Sequence, residues 1–213
     1  MRILALDVDG VLLDPERFGS GNWTNELERR HGITRPQLRE AFFSRSWDDV
    51  VNGRRDIEPA LAEALDEIGS TVPVDDVLAC WFDADFAPVD DAVDLARRAA
   101  DAGCRVVLAT NQEHRRAAYL GERLGGLIPL EAVIYSADLG VQKHDPRFFE
   151  LATQHLGVDP VDRSSIVFVD DVEHNVEQAR AAGWSAFGAT AGVDWISPVV
   201  QALGLPSRAS GPS

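Results

Sequence analysis

The chain has 213 residues, of which 45% are hydrophobic, so it is long enough to bury the core of one domain and to carry an insertion. Asp and Glu together number 35 against 20 Lys and Arg, which gives a formal net charge of −15. This charge repels the phosphates of nucleic acids and the surfaces of anionic membranes, so it argues against both classes of partner.

The cysteines and the apolar stretches indicate the compartment. Cys80 and Cys104 lie far apart and lack the spacing of metal ligands, which favours buried thiols in a reducing environment. The first apolar run, residues 3–6, is too short for the apolar core of a signal peptide. The longest uncharged stretch, residues 195–207, contains prolines and is shorter than a membrane span. We therefore expect a cytoplasmic protein.

Short apolar runs predict four strands and a weaker fifth. In chain order they are residues 3–6, 105–109, 132–135 and 166–169, with the weaker run at 185–188. The four stronger runs are continuously apolar rather than alternating, which is typical of parallel strands that are covered on both faces.

Helical stretches separate the later strands. They are predicted at residues 90–102, 112–124, 146–156 and 173–182. A glycine follows each of these stretches, as is common just past the last residue of a helix. The alternation of strands and helices predicts an α/β fold with a doubly wound parallel sheet.

Residues 18–88 interrupt this alternation, because they contain no strand-like run. Helical periodicity is clear in "IEPALAEALDEIG" and "VDDVLACWFDADF". We predict an inserted helical domain over 18–88, within a core formed by 1–17 and 89–205. Three tryptophans, Trp23, Trp47 and Trp81, fall in the insertion, where a core role is favoured over a substrate-facing one. The tail, residues 206–213, is rich in Pro, Ser and Gly and is expected to be disordered.

Polar residues cluster where the predicted strands end. Open parallel sheets bind ligands beyond the carboxyl ends of their strands. The residues at or beyond those ends are Asp7, Asp9, Thr110, Asn111, Lys143, Asp170 and Asp171. Crowded carboxylates raise each other's pKa unless a counter-charge is present. Oxygen ligands without a Cys or His cluster favour Mg²⁺ over zinc, and Mg²⁺ commonly shares its site with a substrate phosphate.

The first acidic pair suits phosphoryl transfer. The Asp7 carboxylate can attack phosphorus in line with the leaving oxygen, giving an aspartyl-phosphate. Asp9 lies on the same side of the extended chain, because side chains alternate with period two. It can protonate the leaving alkoxide and then take a proton from the hydrolytic water. Gly10 permits the sharp exit that such crowding needs.

Four segments, "DVDGV", "LATN", "GVQKHDP" and "VFVDDVEHN", resemble in this order the four motifs of the haloacid dehalogenase superfamily of phosphohydrolases. The resemblance covers most of the chain and implies a Rossmann-like core with a helical cap. It implies that Asp7 is the nucleophile and Asp9 the general acid and base. It further implies that the phosphate is bound by Thr110, Asn111 and Lys143, and that Mg²⁺ is bound by Asp7, the Asp9 carbonyl, Asp170 and Asp171. Asn175, one helical turn beyond Asp171, would support the metal loop.

A closer resemblance concerns "SADLGVQKHDPRFFE" and "VFVDDVEHNVEQARAAGW". These are similar to the branch with bacterial glucose-1-phosphate phosphatases and the N-terminal phosphatase domain of soluble epoxide hydrolases. The resemblance implies a small phosphorylated substrate, with sugar phosphates favoured. His144 stands where members of the family often have proline, and we expect a surface residue there. Asp9 favours phosphoryl chemistry over dehalogenation, because a leaving halide needs no proton.

Several alternatives remain open at this point. A sugar-phosphate mutase would use the same residues. A receiver-type signalling domain, or a phosphate-binding protein without turnover, would be a non-enzyme, although a binder has no need of a proton donor. In the cap, "WDDVVNGRRD" supplies the candidate substrate contacts Trp47, Arg54 and Arg55. The alternative for the two arginines is a basic turn that is only solvated. The sequence does not indicate the oligomeric state.

Overall fold

A five-stranded parallel sheet forms the centre of the protein in a computed structural model that describes residues 1–14 and 23–206. Its strands are β1 (Ile3–Leu6), β2 (Arg105–Thr110), β3 (Ala132–Tyr135), β4 (Ile166–Asp170) and β5 (Ser185–Gly188). They are arranged in the order β3-β2-β1-β4-β5, and every neighbouring pair is parallel. The predicted doubly wound α/β fold is confirmed, and the strand order reverses at β1, where such sheets bind ligands.

Two strands are one residue longer than the sequence predicts. Thr110 pairs with Tyr135 and Asp170 pairs with Gly188, so both polar residues are the last members of their strands. Leu6 is level with Leu108 and Val169 in the sheet register. The carboxyl ends of β1, β2 and β4 therefore lie side by side.

Helices cover both faces of the sheet and build the insertion. In chain order they are α1 (Trp23–His31), α2 (Arg35–Leu38), α3 (Trp47–Val51), α4 (Ile57–Ile68), α5 (Val74–Asp85), α6 (Asp90–Asp101), α7 (His114–Gly125), α8 (Ser136–Leu139), α9 (Arg147–His155), α10 (Glu173–Ala181) and α11 (Ile196–Leu203). A π-helical turn spans Arg39–Phe43, and a 3₁₀ helix spans Pro160–Ser165. Within the described residues, no helix has the length and apolarity needed to cross a membrane.

The predicted helices of the core are present with ends shifted by one or two residues. The largest shift is at α7, which begins at His114 rather than at residue 112. The Glu113 carboxylate accepts hydrogen bonds from the N–H groups of Arg115 and Arg116, so it caps the helix at that point. Residues 196–203 form α11, which the sequence analysis did not predict. This helix packs Val199 and Leu203 into the core beside β4 and β5.

Alternate residues of β1 face two separate apolar layers. Leu4 and Leu6 belong to the layer formed with α6, α7 and α11, while Ile3 and Ala5 belong to the layer formed with α9 and α10. All four residues are at most 1% exposed. This two-sided burial explains why the strand is apolar throughout rather than alternating.

The described part of the insertion is helical and has an apolar core of its own. Trp23 and Trp81 stack there with ring centroids 4.7 Å apart, and both are nearly buried, whereas Trp47 packs against the cluster from its edge. Two backbone hydrogen bonds join the two segments that connect the insertion to the core. The Asp14 N–H donates to the Ala87 carbonyl (3.0 Å), and the Val89 N–H donates to the Leu12 carbonyl (2.9 Å). The predicted boundary at residues 17/18 lies outside the described residues, and so does the predicted tail beyond Pro206.

Candidate active site

A buried lysine joins two strand ends. Asp7 follows β1, and its N–H donates to the Val169 carbonyl of β4 at 2.9 Å. Lys143 Nζ lies 2.7 Å from Asp7 Oδ2 and 2.6 Å from Asp170 Oδ2. The lysine side chain is only 2% exposed. Three residues that are far apart in the chain thus meet at one point.

The pKa values at this point reflect burial first and the crowding of like charges second. Burial raises the pKa of Asp7 to about 7, although the Lys143 charge opposes the shift. Burial and the neighbouring Asp170 charge also raise the pKa of Asp171. Burial alone would lower the pKa of Lys143, but the two carboxylates outweigh it and raise that pKa, so the ammonium stays charged. One ammonium among three carboxylates leaves a place for a further cation.

The same carboxylates can hold a metal ion. Asp7, Asp170 and Asp171 each offer an oxygen, and the three oxygens lie within 4.8 Å of one another. A set made only of carboxylate oxygens suits Mg²⁺. Gly10 closes the site from one side with a φ of +78°, and a side chain at this position would collide with the Asp171 carboxylate. The donor set and the space around it therefore fit the predicted ion.

Asp170 is held by the loop and helix that follow β4. Its Oδ1 accepts the Val172 N–H at 2.8 Å, and Asn175 Nδ2 lies 3.1 and 3.2 Å from its two oxygens. Asn175 thus contacts the first aspartate of the pair. Such a hydrogen bond orients a carboxylate toward a metal.

The predicted phosphate-binding residues differ in what they contact. Thr110 ends β2 and is 1% exposed, with Gln112 Nε2 3.5 Å from its Oγ1. Asn111 Oδ1 accepts the Lys143 N–H at 2.9 Å. Its amide oxygen therefore positions the lysine loop. His144 is exposed, as expected.

Asp9 has a cation that the sequence analysis did not predict. Arg116 Nη2 and Nη1 donate to Asp9 Oδ1 and Oδ2 at 2.6 and 2.9 Å, and Gln112 Nε2 donates to Oδ2 at 2.8 Å. Burial would raise the pKa of Asp9, but the Arg116 charge and hydrogen bonds lower it below its usual range. Gln112 follows the "LATN" segment and Arg116 comes one helical turn later, so this spacing was the available signal.

The family follows from comparison with known proteins. A family model described as haloacid dehalogenase-like hydrolase matches residues 1–183. The chain belongs to this family of hydrolases. The resemblance found in the four sequence segments is therefore confirmed. A search of curated proteins finds no match.

Solved structures share the fold of this hydrolase. A haloacid dehalogenase family enzyme from Bacteroides thetaiotaomicron, solved with magnesium and inorganic phosphate, is 19% identical with a TM-score of 0.67, and the match covers 92% of this chain and 97% of that one. A protein from Porphyromonas gingivalis described as a predicted HAD-like family hydrolase is 17% identical with a TM-score of 0.69, and the match covers 95% of this chain and 98% of that one. An L-2-haloacid dehalogenase is 19% identical with a TM-score of 0.64, covering 99% and 92%.

A cleft of about 600 Å³ opens beside the acidic site of the hydrolase. Asp9, Gly10 and Asp171 line its floor, and Arg116 lies at its side. The described part of the helical insertion, called the cap below, contributes Trp23, Phe43, Trp81 and Asp85. Residues from both parts of the chain thus surround the space next to the three carboxylates.

The three candidate substrate contacts of the cap lie elsewhere, and none of them lines this cleft. Trp47 packs on Phe43 in the cap core, with ring centroids 5.5 Å apart. Arg54 pairs with Asp48 and with Asp49. Arg55 pairs with Glu63 at 2.6 Å.

The segment that carries these residues contacts the core domain through its backbone. Ser136 Oγ donates to the Val51 carbonyl at 2.6 Å. Gly53, with a φ of +68°, lies against the Ala137 carbonyl, where a side chain would collide. The segment therefore faces the core, and its two arginines are engaged by acidic residues of the cap.

Proposed function

We propose that this hydrolase is a Mg²⁺-dependent phosphatase. It transfers the phosphoryl group of a small phosphorylated metabolite, with sugar phosphates favoured, to Asp7 and then to water. The observation that carries the proposal is a second carboxylate, Asp9, at the floor of the cleft that adjoins the nucleophile site. A leaving alkoxide needs a proton, whereas a leaving halide does not. A carboxyl group at this position can therefore act as the general acid of a phosphatase.

The residues around Asp7 support the first half of the reaction. An Asp7 oxygen forms the new bond to phosphorus as the ester P–O bond breaks. Lys143, already in contact with Asp7, offsets negative charge on the phosphoryl oxygens. Thr110, at the end of the neighbouring strand, would donate a hydrogen bond to one of these oxygens. When bound by the three carboxylates, Mg²⁺ supplies further positive charge there.

Asp9 serves the proton transfers. Its carboxyl gives a proton to the leaving alkoxide, which departs as an alcohol. The resulting carboxylate takes a proton from the water that attacks the phosphorus of phospho-Asp7. The second step restores both Asp7 and the protonated Asp9, so the cycle balances.

The cleft supports a small substrate that carries hydroxyl groups. Its volume of about 600 Å³ lies in the usual range for small-molecule sites. Trp23 and Trp81 are nearly buried but contribute apolar atoms to the lining, which suits the apolar side of a sugar ring. Asp85 offers a hydrogen-bonding group for hydroxyls. The net charge of −15 also favours a small molecule over nucleic acid.

A screen of phosphorylated metabolites tests the proposal. Release of inorganic phosphate is measured with Mg²⁺ for the wild type and for Asp7→Asn, with Asp145→Asn as the matched control because Asp145 pairs with Arg147 at the surface. We expect phosphate release that EDTA and Asp7→Asn abolish and that Asp145→Asn retains. Activity that survives both treatments contradicts the proposal, as does halide release from 2-haloacids. An isomerised sugar phosphate without free phosphate would indicate a mutase.

A further inference from the structure

Arg116 stands between two carboxylates, one from each side of the cleft. Its Nη2 lies 2.6 Å from Asp9 Oδ1 in the core and 3.8 Å from Asp85 Oδ2 in the cap. The arginine side chain is only 7% exposed. A single buried cation therefore serves two acids, and in this structure it is closer to Asp9.

The pairing with Asp9 conflicts with the proton transfer proposed for that residue. Both Asp9 oxygens accept from the guanidinium, and Oδ2 also accepts from Gln112. A carboxyl group held by two guanidinium donors cannot at the same time carry and deliver a proton. Asp9 must therefore leave this pair before it protonates a leaving group.

Asp85 offers the guanidinium a second position. Its Oδ2 accepts the Trp81 indole N–H at 2.9 Å, which orients the carboxylate. The Trp81 ring lies 5.7 Å from the Arg116 guanidinium carbon, within the range of a cation–π contact. Burial raises the pKa of Asp85 to about 6 despite the Arg116 charge. A closer approach of the Arg116 guanidinium would offset the free-energy cost of burying the Asp85 carboxylate.

The helix that carries Arg116 also carries other contacts to the cap. Arg115 Nη1 lies 2.6 Å from Glu58 and 2.9 Å from Asp75, and the Tyr119 hydroxyl donates to Asp83 at 2.8 Å. The cap therefore rests on α7 along one side of the cleft. Asp85 belongs to the cap and Arg116 to α7, so a shift of the cap on α7 would change the distance between them.

We infer that Arg116 is a positioning residue that exchanges between the two acids. It restrains Asp9 in the structure described here and passes to Asp85 when substrate fills the cleft, which frees the Asp9 carboxyl for proton transfer. The inference rests on the proposed function, because it gives a reason for the pairing only if Asp9 transfers protons.

A crystal structure of the wild type with Mg²⁺ and orthovanadate, a mimic of the transferring phosphoryl group, tests the exchange directly. We expect Arg116 within hydrogen-bonding distance of Asp85 and no longer bidentate on Asp9. A complex that keeps both Arg116 hydrogen bonds to Asp9 overturns the inference. This experiment needs no variant, so it does not depend on whether a variant folds.

A series of aryl phosphates, from p-nitrophenyl phosphate to phenyl phosphate, tests the consequence in solution. The slope of log kcat/KM against the pKa of the leaving phenol becomes steeper when proton donation is lost. We expect Asp85→Asn to steepen this slope as Asp9→Asn does. For phenyl phosphate relative to p-nitrophenyl phosphate, we expect Asp85→Asn to lower kcat/KM about tenfold, which is less than the roughly 10²- to 10⁴-fold that complete loss of general acid catalysis would cost.

The matched control is Asp83→Asn. It also removes a cap carboxylate that contacts α7, but this carboxylate meets Tyr119 and Arg123 rather than Arg116. We expect the wild-type slope from this variant. If Asp9→Asn leaves the slope unchanged, the proposed role of Asp9 fails. If Asp9→Asn steepens the slope and Asp85→Asn does not, only the exchange fails.

Discussion

Replacing Lys143 with methionine removes the one ammonium that lies between Asp7 and Asp170. Methionine keeps most of the length of the side chain but leaves two buried carboxylates that face each other without a cation. Lys143 Nζ lies 2.7 and 2.6 Å from their oxygens, and Asp170 is 0% exposed. Breaking a buried ion pair by removing one partner costs about 3–5 kcal/mol. We expect Lys143→Met to lower the free energy of unfolding by this amount at pH 8 in EDTA.

The loss should depend on pH and on metal. The pKa of Asp7 is raised to about 7, so Asp7 is ionised at pH 8 and protonated at pH 5. A group with a raised pKa in the folded state loses its stabilising contribution as pH rises through that value, because the unfolded chain ionises more easily. The difference in the free energy of unfolding between wild type and Lys143→Met should therefore be smaller at pH 5. Mg²⁺ should also reduce this difference in the free energy of unfolding at pH 8, because the ion supplies the missing positive charge.

Urea unfolding followed by circular dichroism measures this effect. The matched control is Arg147→Met, four residues along the chain, whose ion pair with Asp145 lies at the surface. An exposed pair contributes about 0–1 kcal/mol. A Lys143→Met loss no larger than that of Arg147→Met, or one that is independent of pH and Mg²⁺, would refute the argument that the ammonium balances buried carboxylates.

Three further predictions follow from the same site and the cap. Mg²⁺ should raise the melting temperature more at pH 8 than at pH 5.5, because below its pKa of about 7 Asp7 must lose a proton before it binds the ion; an equal shift would contradict this. Gly10→Ala should weaken Mg²⁺ binding in a calorimetric titration by about 10–100-fold, since the added methyl group collides with the Asp171 carboxylate. Replacing Arg54 and Arg55 together with alanine should leave KM unchanged for the best substrate and cost at most about 1 kcal/mol in urea unfolding, because both are engaged in exposed ion pairs.

One result would contradict the Gly10 prediction, and another would contradict the prediction for the two arginines. Gly32 also has a positive φ, +71°, but a side chain there meets nothing within 4 Å, so Gly32→Ala controls for backbone strain alone. Equal Mg²⁺ affinity in the two glycine variants would contradict the collision argument. A raised KM in the double arginine variant, with unchanged turnover of p-nitrophenyl phosphate, would instead support the substrate contacts that the sequence indicated.

The sheet and the acidic centre were predictable because their causes are local. The continuously apolar runs of β1 and β4 reflect burial on two faces, which is visible in a single strand. Asp7, Lys143 and Asp170 meet because parallel strands end at one edge, so their positions after or near strand ends sufficed. The helix α11 was missed because its eight residues include a proline, and its role depends on the layer it covers.

The contacts of side chains across the cleft were not predictable in the same way. Arg116 pairs with Asp9 over 107 positions of the chain, and Arg54 pairs with nearby aspartates of its own turn. Arg116 lies on a helix and Arg54 on a turn, and the sequence alone does not distinguish which acid each one meets. The fold decides this, because it brings α7 beside the loop after β1, and the turn after α3 brings Arg54 back to Asp48 and Asp49. Which acidic residue each arginine contacts can therefore be read only from the structure.

The most direct test of the central claim is to identify the group that carries the phosphoryl during turnover. The protein with Mg²⁺ and its best substrate is quenched within the first turnovers, and the peptide that contains Asp7 is analysed by mass spectrometry. We expect one phosphoryl group on Asp7, absent from Asp7→Asn. Steady release of phosphate with no phosphorylated Asp7 at any quench time, and with turnover retained in Asp7→Asn, would contradict it.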